Sequence, residues 1–260
     1  MDKRAILDKA ARTEDERLLL GQVWDRYEQC RSRNIPAHTA FLSPAEAAAA
    51  RRLLAAMGVE DGFAFYGGYE GAERTQLHFL PDWAAGPEET LRAIRCTWYR
   101  EDKLTHRDLL GGLMGLGIVR EAIGDILVDE NAADILAADT VAGFLLENWQ
   151  TAGRVHLELR EIPLHDLHLP QRACREWQDT VSSLRLDNVL AAGFSLSRGK
   201  AAQAVEAGRV QVNWQDCTRG DKTLSSGDTI TLRGMGRMEL AQVGHTTKKG
   251  RLSVTLRRYL

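Results

Sequence analysis

Between residues 184 and 232 the sequence dictates a pair of short helices followed by two strands. Leu186, Val189 and Leu190 are spaced as one apolar face of a helix, and Gly193 offers its stop. Ser197 can cap a second helix from Arg198 through Ala207, with Gly208 as its terminator. Val210 and Val212 alternate with polar neighbours, as a half-buried strand requires. Gly227-Asp228 then turns the chain into Thr229-Ile230-Thr231-Leu232, a second strand.

The charges in this block point outward. Arg198 and Lys200 fall in the first turn of the second predicted helix, where the helix dipole favours anions over cations. Basic side chains beside accessible amides suit phosphate, and Arg185 can add a charge from the preceding helix. Such a surface reads backbone shape rather than base sequence. The net charge of −2 conceals an asymmetry. Residues 181–260 hold 13 Lys and Arg against 6 Asp and Glu, whereas the rest of the chain holds 21 against 30. A basic end on an acidic body suits a polyanionic partner. Arg233, Arg237, Lys248, Lys249 and Arg251 cluster around Gly234, Gly236 and Gly250, and extend the candidate phosphate surface.

At 260 residues the chain is long enough for two or three domains. The expected class is α+β. Residues 1–58 read as a helical unit: Thr13 can cap one helix, and Ser43, Pro44 and Glu46 open another that Gly58 can close. Residues 59–162 alternate strand and helix patterns in the order β-β-β-α-β-β-α-β. That order predicts an RRM-like or ferredoxin-like middle domain with helices on one face of the sheet. Its strands lack the aromatic-rich signature of a standard RNA-recognition motif. A connector over 163–180 leads to the basic domain over 181–260.

This middle region is acidic, with 21 Asp and Glu against 11 Lys and Arg over residues 61–180. RNA contact there is expected only at a local patch of Arg74, His106 and Arg107, and a protein partner suits the acidic surface equally. Cys30, Cys96, Cys174 and Cys217 have neither metal-ligand nor redox spacing. No apolar run reaches the roughly 18 residues of a membrane span, and the N-terminus has no apolar signal core. A cytoplasmic protein without a metal or other cofactor is expected.

Arg185-Leu186-Asp187, Ser197-Arg198, Gly208-Arg209-Val210-Gln211-Val212-Asn213 and Gly227-Asp228-Thr229-Ile230 stand in the order of the S4 RNA-binding domain, which this region closely resembles. Phe65-Tyr66-Gly67-Gly68-Tyr69-Glu70-Gly71-Ala72-Glu73-Arg74, His106-Arg107-Asp108, Leu116-Gly117-Ile118, Gly124-Asp125-Ile126, Arg233-Gly234-Met235-Gly236-Arg237 and Thr247-Lys248-Lys249-Gly250-Arg251 resemble blocks of the YlmH-like proteins. That family is also labelled photosystem II S4-domain proteins. The resemblance implies a helical N-terminus, a middle RNA-binding domain and a C-terminal S4 domain whose basic face, here including Arg209, docks on RNA. It further implies structured partners, namely ribosomal RNA and tRNA on the large ribosomal subunit. Some members act in ribosome-associated quality control on subunits still carrying peptidyl-tRNA; others are linked to cell division or photosystem assembly.

Enzymatic readings have weaker support. The Arg-Leu-Asp run also occurs in pseudouridine synthases, but here it lies inside the S4 helix without the surrounding catalytic motif. His165 and His168 alone do not define a zinc site. Gly112 to Gly117 does not follow a strand as a dinucleotide loop would. No nucleophile accompanies His106, Arg107 and Asp108. A non-enzymatic RNA-docking protein is the expectation, with an RNA-modifying enzyme centred on the middle domain, or a protein-binding assembly adaptor, as alternatives.

Overall fold

The structure is a computed structural model that describes residues 2–169, 174–247 and 250–259. It forms two compact units, Met1–Pro170 and Gln171–Leu260.

The first unit opens with three helices, α1 (Lys3–Ala10), α2 (Glu14–Arg33) and α3 (Pro44–Met57), with β1 (Ala37–His38) between the last two. The caps lie where the sequence signals them. Thr13 Oγ1 accepts from Glu16 N at 3.1 Å. Ser43 Oγ accepts from Glu46 N at 3.3 Å, and Glu46 returns the contact by accepting from Ser43 N at 2.6 Å. Gly58, at φ 71°, closes α3. Leu20, Val23, Ala49, Ala50, Leu53 and Leu54 bury the facing sides of α2 and α3.

β2 (Phe63–Tyr66) and β3 (Gln76–Phe79) follow. The strand order suggested that both belong to the middle sheet. They pair instead with β1 in a separate sheet, β1-β3-β2, where Ala37 opposes Phe79 and Phe63 opposes Phe79 from the other side. Leu77 and Phe79 bury themselves among residues of the helical segment, which gives this pairing its driving force.

The middle sheet is built from β4 (Leu91–Thr97), α4 (His106–Gly115), β5 (Ile123–Val128), β6 (Ala132–Ala138), α5 (Asp139–Asn148) and β9 (Glu158–Ile162). A small hairpin of β7 (Thr151–Ala152) and β8 (Val155–His156) separates α5 from β9. The β-α-β-β-α-β chain order, with spatial order β5-β6-β4-β9 and every pair antiparallel, is ferredoxin-like. Thr105 and Asp108 form a reciprocal cap at α4.

The two faces of this sheet have different fates. Ile94, Cys96, Ala133, Ile135 and Ala137 meet Leu109, Leu113, Ala142 and Leu145 of α4 and α5. On the other face Leu91, Ala93, Leu127, Leu136 and Ile162 are covered by Phe41, Tyr66, Tyr69, Leu164 and Leu167. Gly124 admits Phe41: a Cβ there would lie 2.7 Å from the Phe41 ring and 2.9 Å from Leu136 Cβ.

The second unit carries β10 (Cys174–Val181), α6 (Leu186–Gly193), α7 (Arg198–Glu206), β11 (Val210–Val212), β12 (Gln215–Asp216), β13 (Thr229–Leu232), β14 (Gly236–Thr246) and β15 (Leu252–Tyr259). Its single sheet runs β10-β15-β14-β13-β11-β12. β10 takes up most of the second half of the expected connector over 163–180 and pairs along its whole length with β15. Leu186, Val189, Leu190, Phe194, Ala201 and Val205 of the helix pair form one core with Val210, Val212, Ile230, Leu232, Met238 and Leu240.

Candidate nucleic-acid interface

The start of α7 presents its sequence candidates to solvent. Ser197 Oγ accepts from Lys200 N at 3.3 Å, while Arg198, Gly199 and Lys200 are exposed. The first amides of a helix have no intrahelical acceptor, so those of Arg198 and Gly199 can serve an outside oxygen. Neither the Arg198 nor the Lys200 side chain has an ion-pair partner among the described residues.

The start of α6 is different. Leu186 N donates to Lys222 O at 2.8 Å and Asp187 N to Gly220 O at 3.1 Å, so a loop closes that end. Arg185 forms a two-pronged contact with Asp187, at 2.8 and 3.2 Å. The hydrogen bond and the opposite charge raise the Arg185 pKa and lower that of Asp187. Asp187 thus acts as an orienting partner in a helix turn, and Arg185 remains partly exposed at the surface.

Further along, the sheet brings Arg209 and Arg233 together. Arg209 donates to Arg233 O at 2.9 Å, and Arg233 N donates to Arg209 O at 2.9 Å. Arg233 also meets Asp216 at 3.1 Å. Arg237 stands on β14 opposite Thr231. Arg251 donates to Thr180 O at the turn between β14 and β15. Gly250, at φ 73°, shapes that turn, whereas Lys248 and Lys249 lie outside the described residues. The candidates therefore form local groups along the unit: Arg198 with Lys200, Arg185 with Asp187, and Arg209 with Arg233.

Trp214 escaped the sequence reading. Asn213 and Trp214 both adopt positive φ, 50° and 60°, in the two-residue turn between β11 and β12. Such a turn favours Asn-Gly, so a half-exposed Trp at its second position is a conformational cost that sequence pattern alone did not flag. Asn213 secures the turn: its side chain donates to Asp228 at 2.7 Å and accepts from Thr229 N at 2.9 Å.

The proposed patch in the first unit is not a cluster of free cations. Arg74 donates to Ile123 O at 2.9 Å, Phe41 O at 3.1 Å and Arg120 O at 3.3 Å, and burial lowers its pKa. It is an internal strut. His106 and Arg107 are exposed at the start of α4. Desolvation, followed by the Arg120 charge, lowers the His106 pKa, which favours its neutral form. The sheet face opposite the helices, where a recognition motif would stack bases, is sealed over much of its area by the Phe41 cluster.

No helix among the described residues is long and apolar enough to cross a membrane.

Residues 99–166 match the family described as "Putative RNA-binding domain in YlmH", and residues 184–230 match the S4 domain. The chain is 36% identical over 255 residues to Ribosome-associated protein quality control protein P2 of Bacillus subtilis, covering 94% of this chain and 95% of that protein. A solved structure of cell division protein ylmH from Streptococcus pneumoniae aligns at 23% identity with a TM-score of 0.49, covering 61% of this chain and 98% of that one. Identity sustained over almost the full length of both sequences, with both RNA-binding domains in order, shows that the chain belongs to the YlmH family of S4-domain RNA-binding proteins.

Proposed function

We propose that this protein is a non-enzymatic cytoplasmic factor that docks on structured RNA of the large ribosomal subunit and on tRNA held there. Its place would be ribosome-associated quality control, as the name of the Bacillus subtilis relative suggests. The observation that carries the reading is the exposed first turn of α7, where Arg198 and Lys200 flank amides left open by the Ser197 cap. Arg185, Arg209, Arg233, Arg237 and Arg251 extend the same basic unit, with Lys248 and Lys249 contributing charge from the intervening sequence. Two linked weak contacts, one to ribosomal RNA and one to tRNA, favour a particle presenting both.

The test is co-sedimentation of the full chain with purified large subunits, with and without peptidyl-tRNA, at several salt concentrations. Binding should be tighter to the tRNA-bearing particle and weaken as salt rises, because phosphate neutralisation releases counterions. A folded Arg198→Glu/Lys200→Glu variant should lose most of the binding. Equal binding by that variant would remove α7 as the docking element, and no binding to either particle would remove the ribosomal assignment.

A further inference from the structure

One end of the middle sheet escapes the apolar cover. Where β4 ends and β8 passes into β9, Thr97, Trp98, Tyr99, His156 and Glu158 line a cleft of about 120 Å³. Thr97 and Glu158 are direct cross-strand partners. Tyr99 is 73% exposed, the most exposed of the large hydrophobic side chains among the described residues. His156 at the end of β8 and Glu158 and Arg160 on β9 are exposed as well.

From this arrangement we infer that the cleft is a single-nucleotide site, taking an unpaired base that bears an exocyclic amine. An exposed aromatic ring is costly to leave bare but offers a stacking surface to any base. Glu158 supplies acceptors without a cation to neutralise it among the described residues, so it repels phosphate and suits the amino edge of a base. Cytosine meets that demand through its N4 amine, whereas uracil presents a carbonyl at the same place. His156 offers a second ring at the cleft wall. Arg100, Arg154 and Arg160 are exposed near this end in sequence and have no ion-pair partner among the described residues, so they are free to meet the flanking phosphates.

The cleft belongs to the first unit, Met1–Pro170, and its proposal does not depend on ribosomal docking. It places base reading at the edge of a sheet whose central face is closed by Phe41, Tyr66 and Tyr69. Three of its five lining residues, Tyr99, His156 and Glu158, lie within the span matched by the RNA-binding domain model, residues 99–166.

The experiment is fluorescence anisotropy of the full chain with end-labelled hexacytidylate and hexauridylate at low salt. Hexacytidylate should bind more tightly. Tyr99→Ala should weaken it about tenfold, within the range for loss of one base–aromatic stack, while Tyr99→Phe should stay within about twofold of the parent. Glu158→Gln should reduce the preference for hexacytidylate over hexauridylate. The Arg198→Glu/Lys200→Glu variant should retain both the preference and the Tyr99→Ala effect, which separates this site from the α7 face. Unchanged affinity in folded Tyr99→Ala, or equal binding of the two hexamers by the parent, would overturn the proposal.

Discussion

Arg95 and Asp134 face each other across β4 and β6 in a two-pronged ion pair, with both N···O distances at 2.7 Å. Asp134 is 1% exposed and also accepts from His168 N at 2.7 Å, while Arg95 donates to Asp166 O at 2.8 Å. The pair thus pins the segment after β9 onto the sheet. Removing one partner strands the other as an uncompensated buried charge. Arg95→Met, which strands Asp134, should therefore lower unfolding stability by about 3–5 kcal/mol, whereas an Arg95→Met/Asp134→Leu double variant should recover most of that loss. Urea denaturation of the three proteins measures both effects.

Arg74 should behave as a folding residue. Arg74→Met removes the Arg74 donor from Phe41 O and one of two donors from each of Ile123 O and Arg120 O, a loss of about 1–3 kcal/mol. Its affinity for structured RNA, measured on folded protein, should stay within about twofold of the parent, because phosphate contact is not its task. A large affinity loss with unchanged stability would reverse that assignment.

Two glycine replacements should move stability in opposite directions. A Cβ on Gly67 would stand 2.4 Å from Arg74 O and 2.5 Å from Ala72 Cβ, and the backbone oxygen cannot swing aside. Gly67→Ala should cost about 1–3 kcal/mol or more. Gly111, in α4, has nothing within 4 Å of its would-be Cβ. Gly111→Ala should stabilise by about 0.5–1 kcal/mol through helix propensity. Thermal melts of the two variants should shift to opposite sides of the parent.

His78 makes the first unit sensitive to acid. Burial, and then the neighbouring His38 charge, lowers its pKa from 6.5 to about 4. The two rings stack at 5.4 Å, and Thr90 Oγ1 lies 3.4 Å from His78 Nε2. Between those two pKa values the unfolded chain binds the proton more readily than the fold does. The contribution is therefore intact above about pH 6.5 and is lost as pH falls towards 4, by about 3 kcal/mol in all. Denaturation of parent and His78→Gln at neutral pH and near pH 4.5 should show a shallower pH slope in the variant.

Local signals were the legible part of this fold. Thr13, Ser43 and Ser197 cap helices because the spacing of a hydroxyl and the third following residue is a short-range matter. The α6–α7 pair and the strands that follow it were equally visible, since stop glycines and alternating valines act within a few residues. Partners across long distances were not visible. The sequence marks β2 and β3 as strands, yet nothing in Phe63–Tyr66 or Gln76–Phe79 says that Ala37–His38 will complete their sheet. At the candidate site, the exposed charges of α7 followed from their position after Ser197. Arg74 did not, because a lone Arg in sequence carries no mark of the three carbonyls that will absorb it. Trp214 was missed for the converse reason: its left-handed backbone sits where a glycine would have announced the turn.

The pairing of β10 with β15 has a consequence for how the second unit can be handled. Its first described residue, Cys174, stands opposite Tyr259, next to the end of the chain. Entry and exit therefore lie side by side on neighbouring strands. A cassette whose two ends meet can be spliced into a surface loop of an unrelated protein, or have its ends joined and reopened elsewhere, without stretching its sheet. The same geometry makes β10 indispensable to any excised version: a fragment beginning at Val181 would bare the backbone edge of β15 and invite pairing with a second molecule.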